Sequence, residues 1–143
     1  MRALLDANLI VSYLLAPTSA SAPIEVITRG ILGEFVALVS VTTLDEVSRS
    51  ISSKPYLVAR IPQDRFDRFV AIIRASGKIL PPMENHPITQ TTRDPKDDYL
   101  IAHALRDQVD ILVSGDRDLL ALADVTPFRI LTPVDFLAHL DER

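Results

Sequence analysis

Four acidic residues that are far apart in the chain occupy equivalent positions relative to the predicted strands. Asp6, Glu46 and Asp116 each lie just beyond a short apolar run of strand length, and Asp98 opens the helix that precedes the third run. If the strand before Asp6 is central and the other two flank it, all four carboxylates converge at one sheet edge, where α/β proteins bind ligands. Carboxylates so close together repel one another and some of their pKa values rise, so a divalent cation would stabilise them. Oxygen ligands without His or Cys select Mg²⁺ or Mn²⁺ rather than zinc.

Local structure alone also offers an explanation for three of these acids. Asp6 has the position of a helix N-cap. Thr43 and Glu46 match a capping box, in which the glutamate returns a hydrogen bond to the amide of the cap residue. Asp116 and Asp118 fit a turn followed by a helix cap. The prediction of a metal site therefore depends on the acids meeting in space.

In the third segment, Asp97 and Asp98 are both candidates. Asp94 and Pro95 predict the start of a helix with Asp94 as its N-cap, which places Asp97 favourably for the helix dipole. The predicted apolar side of this helix consists of Ile101, Ala104 and Leu105. Asp98 shares a face with Ile101, Ala102 and Leu105 and is expected to point towards the sheet, which favours Asp98.

Short apolar runs alternate with amphipathic segments along the whole chain. The runs predict strands at residues 3–5, 35–40, 78–80, 111–113 and 129–131. A tight turn is predicted at residues 6–8, and helices at residues 9–15, 24–32, 44–51, 66–73, 94–105, 119–122 and 133–140, with connections at 17–23 and 52–55. The alternation predicts right-handed crossovers and a three-layer α/β/α fold with a central parallel sheet of about five strands. We expect the strand order 3-2-1-4-5 in a single domain over residues 1–143.

The composition is that of a compact globular protein. The 143 residues are 48 % hydrophobic and 24 % charged, and the mean hydropathy is +0.20. The chain has no cysteine, which excludes disulfides and thiolate metal sites. Its apolar runs fall far short of the roughly 20 residues that a membrane span needs. The N-terminus lacks the pattern of a signal peptide, so we expect a cytoplasmic location.

The net charge of −4 argues against a nucleic-acid partner, but the charges are unevenly distributed. Residues 47–78 contain seven basic and two acidic residues, whereas residues 94–124 contain eight acidic and three basic residues. A basic surface beside an acidic cluster would steer a polyanion towards a pocket loaded with cations. Two ordinary solvated faces explain the same distribution equally well.

Four segments resemble the motifs of PIN-domain nucleases, in the order and at the spacing of that family. They are LLDANLIVS at residues 4–12, Ser40 with LDEV at 44–47, RDPKDDYLIA at 93–102, and ILVSGDRDLL at 111–120. Residues 131–133 with Phe136 and Leu137 match the usual ending of the family. The resemblance spans nearly the whole chain and suggests the branch formed by the toxin components of bacterial toxin–antitoxin systems. It implies Mg²⁺- or Mn²⁺-dependent cleavage of single-stranded RNA that leaves a 5′ phosphate and a 3′ hydroxyl.

The resemblance also implies roles for particular residues. The catalytic, metal-binding acids of the family correspond to Asp6, Glu46, Asp98 and Asp116. Positions that orient ligands or the attacking water correspond to Asn8 and Ser114, with Asp97 and Asp118 as further supporting candidates. The candidates for contacts with the RNA backbone are Arg49, Arg65, Arg68 and Arg74, for which a solvated helix face is the alternative. Ala7 departs from the family pattern, in which threonine is common.

The family further implies two kinds of protein partner, a small antitoxin and a second copy of the chain. Two other functions compete with the nuclease. In a haloacid-dehalogenase-like phosphatase, Asp6 would be the nucleophile and residues 115–118 a second acidic turn, but Glu46 and Asp98 would have no function. In a non-catalytic binding module on a PIN-like fold, the acids would serve only as a scaffold.

Overall fold

A computed structural model of the chain describes residues 1–83 and 98–142, with only the backbone described at Asp98. The strands are β1 (Arg2–Leu5), β2 (Val36–Ser40), β3 (Lys78–Leu80), β4 (Ile111–Val113) and β5 (Arg129–Leu131). The helices are α1 (Ala7–Leu15), α2 (Ala22–Ile31), α3 (Val41–Ser53), α4 (Pro55–Arg60), α5 (Gln63–Ser76), α6 (Asp98–Arg106), α7 (Arg117–Leu120) and α8 (Pro133–Asp141). Across these two ranges, no helix is both long and apolar enough to cross a membrane.

Strand β1 lies at the centre of a five-stranded parallel sheet. The order is β3-β2-β1-β4-β5, which confirms the predicted order. Leu4 of β1 pairs with Leu38 of β2 on one side and with Leu112 of β4 on the other. Because neighbouring parallel strands end at the same edge, the residues that follow them are brought together there. Asp6 and Ser114 directly follow β1 and β4 and therefore meet at this edge.

Helices cover both faces of the sheet. On one face, Leu4, Leu38 and Leu112 pack with Leu100 and Ala104 of α6. On the opposite face, the alternate strand residues pack with apolar side chains of α1, α2, α5 and α8, among them Ile10, Ile27, Phe69 and Phe136. Burial on both faces explains why the strands are continuous apolar runs rather than alternating ones.

Several helices begin earlier than predicted, and prolines explain the starts of α2 and α4. Ser21 is the N-cap of α2 and Pro23 lies in its first turn, so the connection predicted at residues 17–23 is shorter. Pro55 begins α4 rather than ending a loop. Proline is favourable in the first turn because the amides there have no partner within the helix, and its fixed φ already suits a helix. Leu57 of α4 is buried, which ties this short helix to the core.

The buried face of α6 agrees only in part with the predicted one. Leu100, Ile101 and Ala104 are buried, whereas Leu105 is 51 % exposed. The predicted apolar side is therefore confirmed at Ile101 and Ala104 and wrong at Leu105. The choice of Asp98 over Asp97 stays a prediction. The predicted helix start at residues 94–95 lies outside the described residues.

Candidate active site

Asp6 and Ser114 lie side by side where β1 and β4 end. The main-chain N–H of Asp6 donates to the carbonyl of Val113 at 3.2 Å. The Ser114 hydroxyl donates to Asp6 Oδ2 at 2.6 Å, which joins residues 108 positions apart. Ser114 is fully buried and Asp6 is 6 % exposed. The Asp6 side chain accepts no capping hydrogen bond at the start of α1, so helix capping does not account for it.

Ser114 also connects Asp6 to Asp116. The main-chain N–H of Asp116 donates to Ser114 Oγ at 3.0 Å. One carboxylate oxygen of Asp116 accepts the main-chain N–H of Asp118 at 2.8 Å and thereby caps α7. The turn-and-cap interpretation of Asp116 is thus confirmed, and the same turn brings its carboxylate to the sheet edge beside Asp6.

Glu46 is not part of a capping box. The N-cap of α3 is Ser40, whose hydroxyl oxygen accepts the N–H of Thr43 at 3.0 Å. Thr43 therefore lies inside the first turn, and Glu46 lies almost one turn further along the helix. Its carboxylate turns towards α6, where the Tyr99 hydroxyl donates to Glu46 Oε2 at 2.9 Å.

Tyr99 is a site residue that the sequence analysis did not identify. Its hydroxyl also lies 3.2 Å from Thr43 Oγ1. Thr43 Oγ1 in turn accepts the Ser40 hydroxyl at 3.0 Å. These bonds form a chain from the end of β2 to Glu46. The sequence signal for this role was the position of Tyr99 next to the Asp97–Asp98 pair. A buried tyrosine hydroxyl usually has a hydrogen-bond partner, so a tyrosine near predicted acids is a candidate donor to one of them.

The acids influence one another electrostatically. Burial raises the pKa of Asp6 above its ordinary value, the negative charges of Glu46 and Asp116 raise it further, and hydrogen bonds from Ser114 and the Ala7 amide oppose the shift. Burial and the charges of Glu46 and Asp6 likewise raise the pKa of Tyr99, so its phenol stays neutral and remains a donor. Ionised Asp6, Glu46 and Asp116 thus repel one another at this edge of the sheet.

The donor chemistry of this edge fits a hard divalent cation. Its described groups are carboxylates and a hydroxyl, and a cation would offset the repulsion among them. Among the described side chains, no three acidic or histidine groups are placed so that they could hold a metal ion. The side chains of Asp97 and Asp98 lie outside that search. Asn8 is exposed in the first turn of α1.

The structure separates the four candidate arginines. Arg49 lies on α3, the helix that bears Glu46. Arg65 donates to the carbonyl of Leu14 at 2.7 Å and so holds the end of α1. Arg68 pairs with an aspartate of its own helix at 2.7 Å, and Arg74 is exposed on α5. Only Arg49 of these four lines the cleft that contains Glu46.

That cleft has a volume of about 560 Å³ and lies between α3 and the start of α6. Its walls contain one acidic side chain, two basic side chains, three hydroxyl groups and one phenol. The lining residues are Thr42, Glu46, Arg49, Ser50, Ser53, Lys54 and Tyr99. Each residue that lines the open space beside Glu46 therefore carries a polar group, and both signs of charge are present.

Three solved structures are similar to this chain. PAE2754 from Pyrobaculum aerophilum has a TM-score of 0.63 at 18 % identity, with 100 % of this chain and 91 % of that chain covered. VapBC2 from Rickettsia felis, bound to a DNA fragment from their promoter, has a TM-score of 0.56 at 14 % identity, covering 92 % and 97 %. FitAB bound to the IR36 DNA fragment has a TM-score of 0.61 at 19 % identity, covering 92 % and 94 %. These likenesses show a shared fold.

The sequence comparisons give a family. No curated protein shows a significant match to the chain. The family model described as PIN domain matches residues 2–118, a stretch that contains Asp6, Glu46, Asp98 and Asp116. Because this match extends over much more than half of the sequence, the chain belongs to the PIN-domain family.

Proposed function

We propose that this chain is an endoribonuclease that requires Mg²⁺ or Mn²⁺ and hydrolyses phosphodiester bonds of single-stranded RNA. PIN-domain proteins are nucleases, and they generally use divalent metal ions. The observation that best supports the proposal is the buried Asp6 carboxylate. This carboxylate accepts a hydrogen bond from Ser114, and the negative charges of Glu46 and Asp116 raise its pKa. A buried acid surrounded by like charges is stabilised by a bound cation.

In this proposal the ligands of the cation are Asp6, Glu46 and Asp116 with Asp98 or its neighbour Asp97. The three described carboxylates are not placed to hold an ion as they stand, so their side chains would have to turn towards it on binding. When bound, such a cation lowers the pKa of a water molecule and stabilises charge that develops on the phosphoryl and leaving oxygens. The protein positions these ligands through neighbouring groups. Ser114 orients the Asp6 carboxylate and the main chain of Asp116, and Tyr99 orients Glu46.

The reaction needs no side-chain nucleophile. The oxygen of water bonds to phosphorus, the bond between phosphorus and the 3′ oxygen breaks, and the 3′ oxygen takes up a proton. The products are a 5′ phosphate and a 3′ hydroxyl. The described edge of the sheet fits this scheme, because Asp6, Glu46 and Asp116 offer anionic oxygens and Ser114 a hydroxyl, and the chain has no cysteine.

We further propose that the chain is the toxin of a toxin–antitoxin pair, with a small antitoxin protein as its partner. The fold similarity to VapBC2 and FitAB, each in a structure with DNA, supports this proposal. A homodimer is proposed on the same family grounds. The phosphatase alternative loses its basis, because it assigned no function to Glu46 and the chain is a PIN-domain protein.

The test is cleavage of a mixture of RNAs by the purified protein with Mg²⁺, with Mn²⁺ or with EDTA. We expect cleavage with either ion, none with EDTA, and none from Asp6→Asn. Asp45→Asn is the matched control, because Asp45 is an exposed acid on α3 next to Glu46. Cleavage that survives Asp6→Asn would refute the proposed mechanism. RNA binding without any cleavage would instead support the non-catalytic binding module.

A further inference from the structure

One face of α3 forms the floor of the cleft beside Glu46. The cleft-lining residues of this helix after Glu46 follow at intervals of three, four, seven and eight positions, which is the spacing of a single helical face. They are Arg49, Ser50 and Ser53 of α3 and Lys54, the residue that follows α3 as its C-cap. At 1.5 Å per residue, Lys54 lies roughly 12 Å along the helix axis from Glu46. The cleft therefore continues well beyond the acids.

The two basic residues of this face differ from the other basic residues nearby. In the described part of the chain, neither Arg49 nor Lys54 forms an ion pair. By contrast, Arg60 lies 4.0 Å from the centre of the Tyr56 ring. Arg65 donates to a main-chain carbonyl and Arg68 pairs with an acid. The charges of Arg49 and Lys54 therefore face the cleft without a counter-ion from the described protein.

We propose that this face of α3 is a subsite for the RNA strand on one side of the scissile phosphate, with Arg49 and Lys54 binding backbone phosphates. This inference rests on the proposed function, because it takes the acids around Glu46 as the place of cleavage. An anionic strand would meet repulsion from Glu46 unless nearby cations balanced it. The cleft supplies two such cations beyond the acids, Arg49 on α3 and Lys54 at the C-cap of that helix.

The chemistry of the cleft favours a phosphate backbone over an apolar protein segment. Its α3 wall ends in ammonium, guanidinium and hydroxyl groups, which bind phosphate oxygens and do not select a particular base. Its one aromatic group, Tyr99, has its hydroxyl engaged with Glu46 and Thr43. The subsite would therefore increase the affinity for RNA and fix the position of the strand in the cleft, without selecting a sequence.

The test measures binding of a fluorescein-labelled single-stranded RNA to protein that carries Asp6→Asn, by fluorescence anisotropy over a series of KCl concentrations. We expect Arg49→Gln and Lys54→Gln each to weaken binding about two- to fivefold, the range of an exposed ion pair. Each variant should also reduce the slope of log K against log salt by about 0.7, the value for one phosphate contact on a single strand.

Lys78→Gln is the matched control, because Lys78 is an exposed lysine of the same basic segment and does not line the cleft. It removes the same charge and should leave the salt slope unchanged. If Arg49→Gln and Lys54→Gln behave like Lys78→Gln, the subsite is refuted. The same variants are also titrated with an acidic peptide. If Arg49→Gln and Lys54→Gln weaken binding of the peptide but not of the RNA, this face binds a protein partner and the subsite is refuted.

Cleavage kinetics separate this inference from the proposed function. In protein that retains Asp6, Arg49→Gln and Lys54→Gln should raise KM and leave kcat nearly unchanged, because backbone contacts act equally on substrate and transition state. If the protein with Asp6 cleaves RNA and neither variant changes KM, the subsite is wrong while the nuclease assignment stands. If no cleavage occurs under any condition, the nuclease assignment itself fails.

Discussion

The Tyr99 hydroxyl donates a hydrogen bond of 2.9 Å to Glu46 Oε2, although the two residues are 53 positions apart in the chain. This bond joins the start of α6 to α3 across the cleft. The phenol stays neutral because burial and nearby negative charge raise its pKa, so it remains a hydrogen-bond donor. The direction in which the Glu46 carboxylate points therefore depends on Tyr99.

We expect Tyr99→Phe to weaken metal binding without unfolding the protein. Hydrogen-bond partners of metal ligands hold those ligands in place, and their loss typically costs about 10- to 100-fold in metal affinity. The ring of Phe fills the same space, so packing is retained. The measurement is a Mn²⁺ titration followed by electron paramagnetic resonance, with the thermal midpoint of each variant measured in EDTA.

Tyr56→Phe is the matched control, because the Tyr56 side chain is 58 % exposed and lies outside the acid cluster. It should leave Mn²⁺ affinity unchanged. If Tyr99→Phe binds Mn²⁺ as tightly as Tyr56→Phe does, the hydrogen bond to Glu46 has no role in positioning the ligand. A lowered thermal midpoint with unchanged affinity would show a purely structural contact.

The sheet could be predicted from the sequence because its strands are buried on both faces. The strands at residues 78–80, 111–113 and 129–131 match the structure at both ends. Each is a short apolar run next to polar residues, glycine or proline. The sequence pattern does not predict α4. Residues 52–55 indicate the end of α3, whereas Pro55 is in fact the first residue of the next helix. The structural outcome depends on the packing of Leu57, which a local pattern does not reveal.

The candidate site was predictable in its strand-end residues but not in its long-range partners. The strand-end positions of Asp6 and Asp116 follow from the strand pattern, and the structure joins both to Ser114. Thr43 and Glu46 matched a capping box because local spacing alone does not show that α3 starts at Val41, directly after β2, with Ser40 as its N-cap. The role of Tyr99 depends on how α6 crosses α3, which no local spacing encodes.

The ionised Asp6 carboxylate should destabilise the metal-free fold. Because the folded protein raises the pKa of Asp6 above the ordinary value of 3.8, it binds this proton more tightly than the unfolded chain does. The stability from protonated Asp6 is present in full below that ordinary value and is lost as the pH rises through the raised pKa. In EDTA near neutral pH, we therefore expect Asp6→Asn to have a higher free energy of unfolding than the wild type.

Urea unfolding at several pH values measures this effect. The stability difference between Asp6→Asn and the wild type should shrink as the pH falls towards 3.8. Asp45→Asn, at an exposed position of α3, should show no comparable trend. A variant Asp6→Asn that is less stable than the wild type at neutral pH would mean that burial of the charged carboxylate is already compensated within the protein.

Divalent cations should stabilise the wild type. A ligand at 100 times its Kd adds about 2.7 kcal/mol to the free energy of unfolding, which corresponds to roughly 5–10 °C in Tm for a chain of this size. Differential scanning fluorimetry with Mg²⁺ and Mn²⁺ should show this shift. Asp6→Asn and Asp116→Asn should lose most of it, and Asp124→Asn, at an exposed residue after α7, should retain it. No shift with either ion would favour the non-catalytic binding module.

Arg65 should matter for stability rather than for RNA binding. Its guanidinium donates to the carbonyl of Leu14 at 2.7 Å, near the end of α1, where the helix dipole favours a positive charge. We expect Arg65→Ala to lower the free energy of unfolding by about 1.5–3 kcal/mol, the range for a hydrogen bond to a charged group. Arg68→Ala removes only an exposed pair with Asp64 and should change stability much less. Urea unfolding and fluorescence anisotropy with labelled RNA are measured for both variants. If Arg65→Ala has the stability of the wild type but binds RNA more weakly, Arg65 belongs to the RNA-binding surface instead.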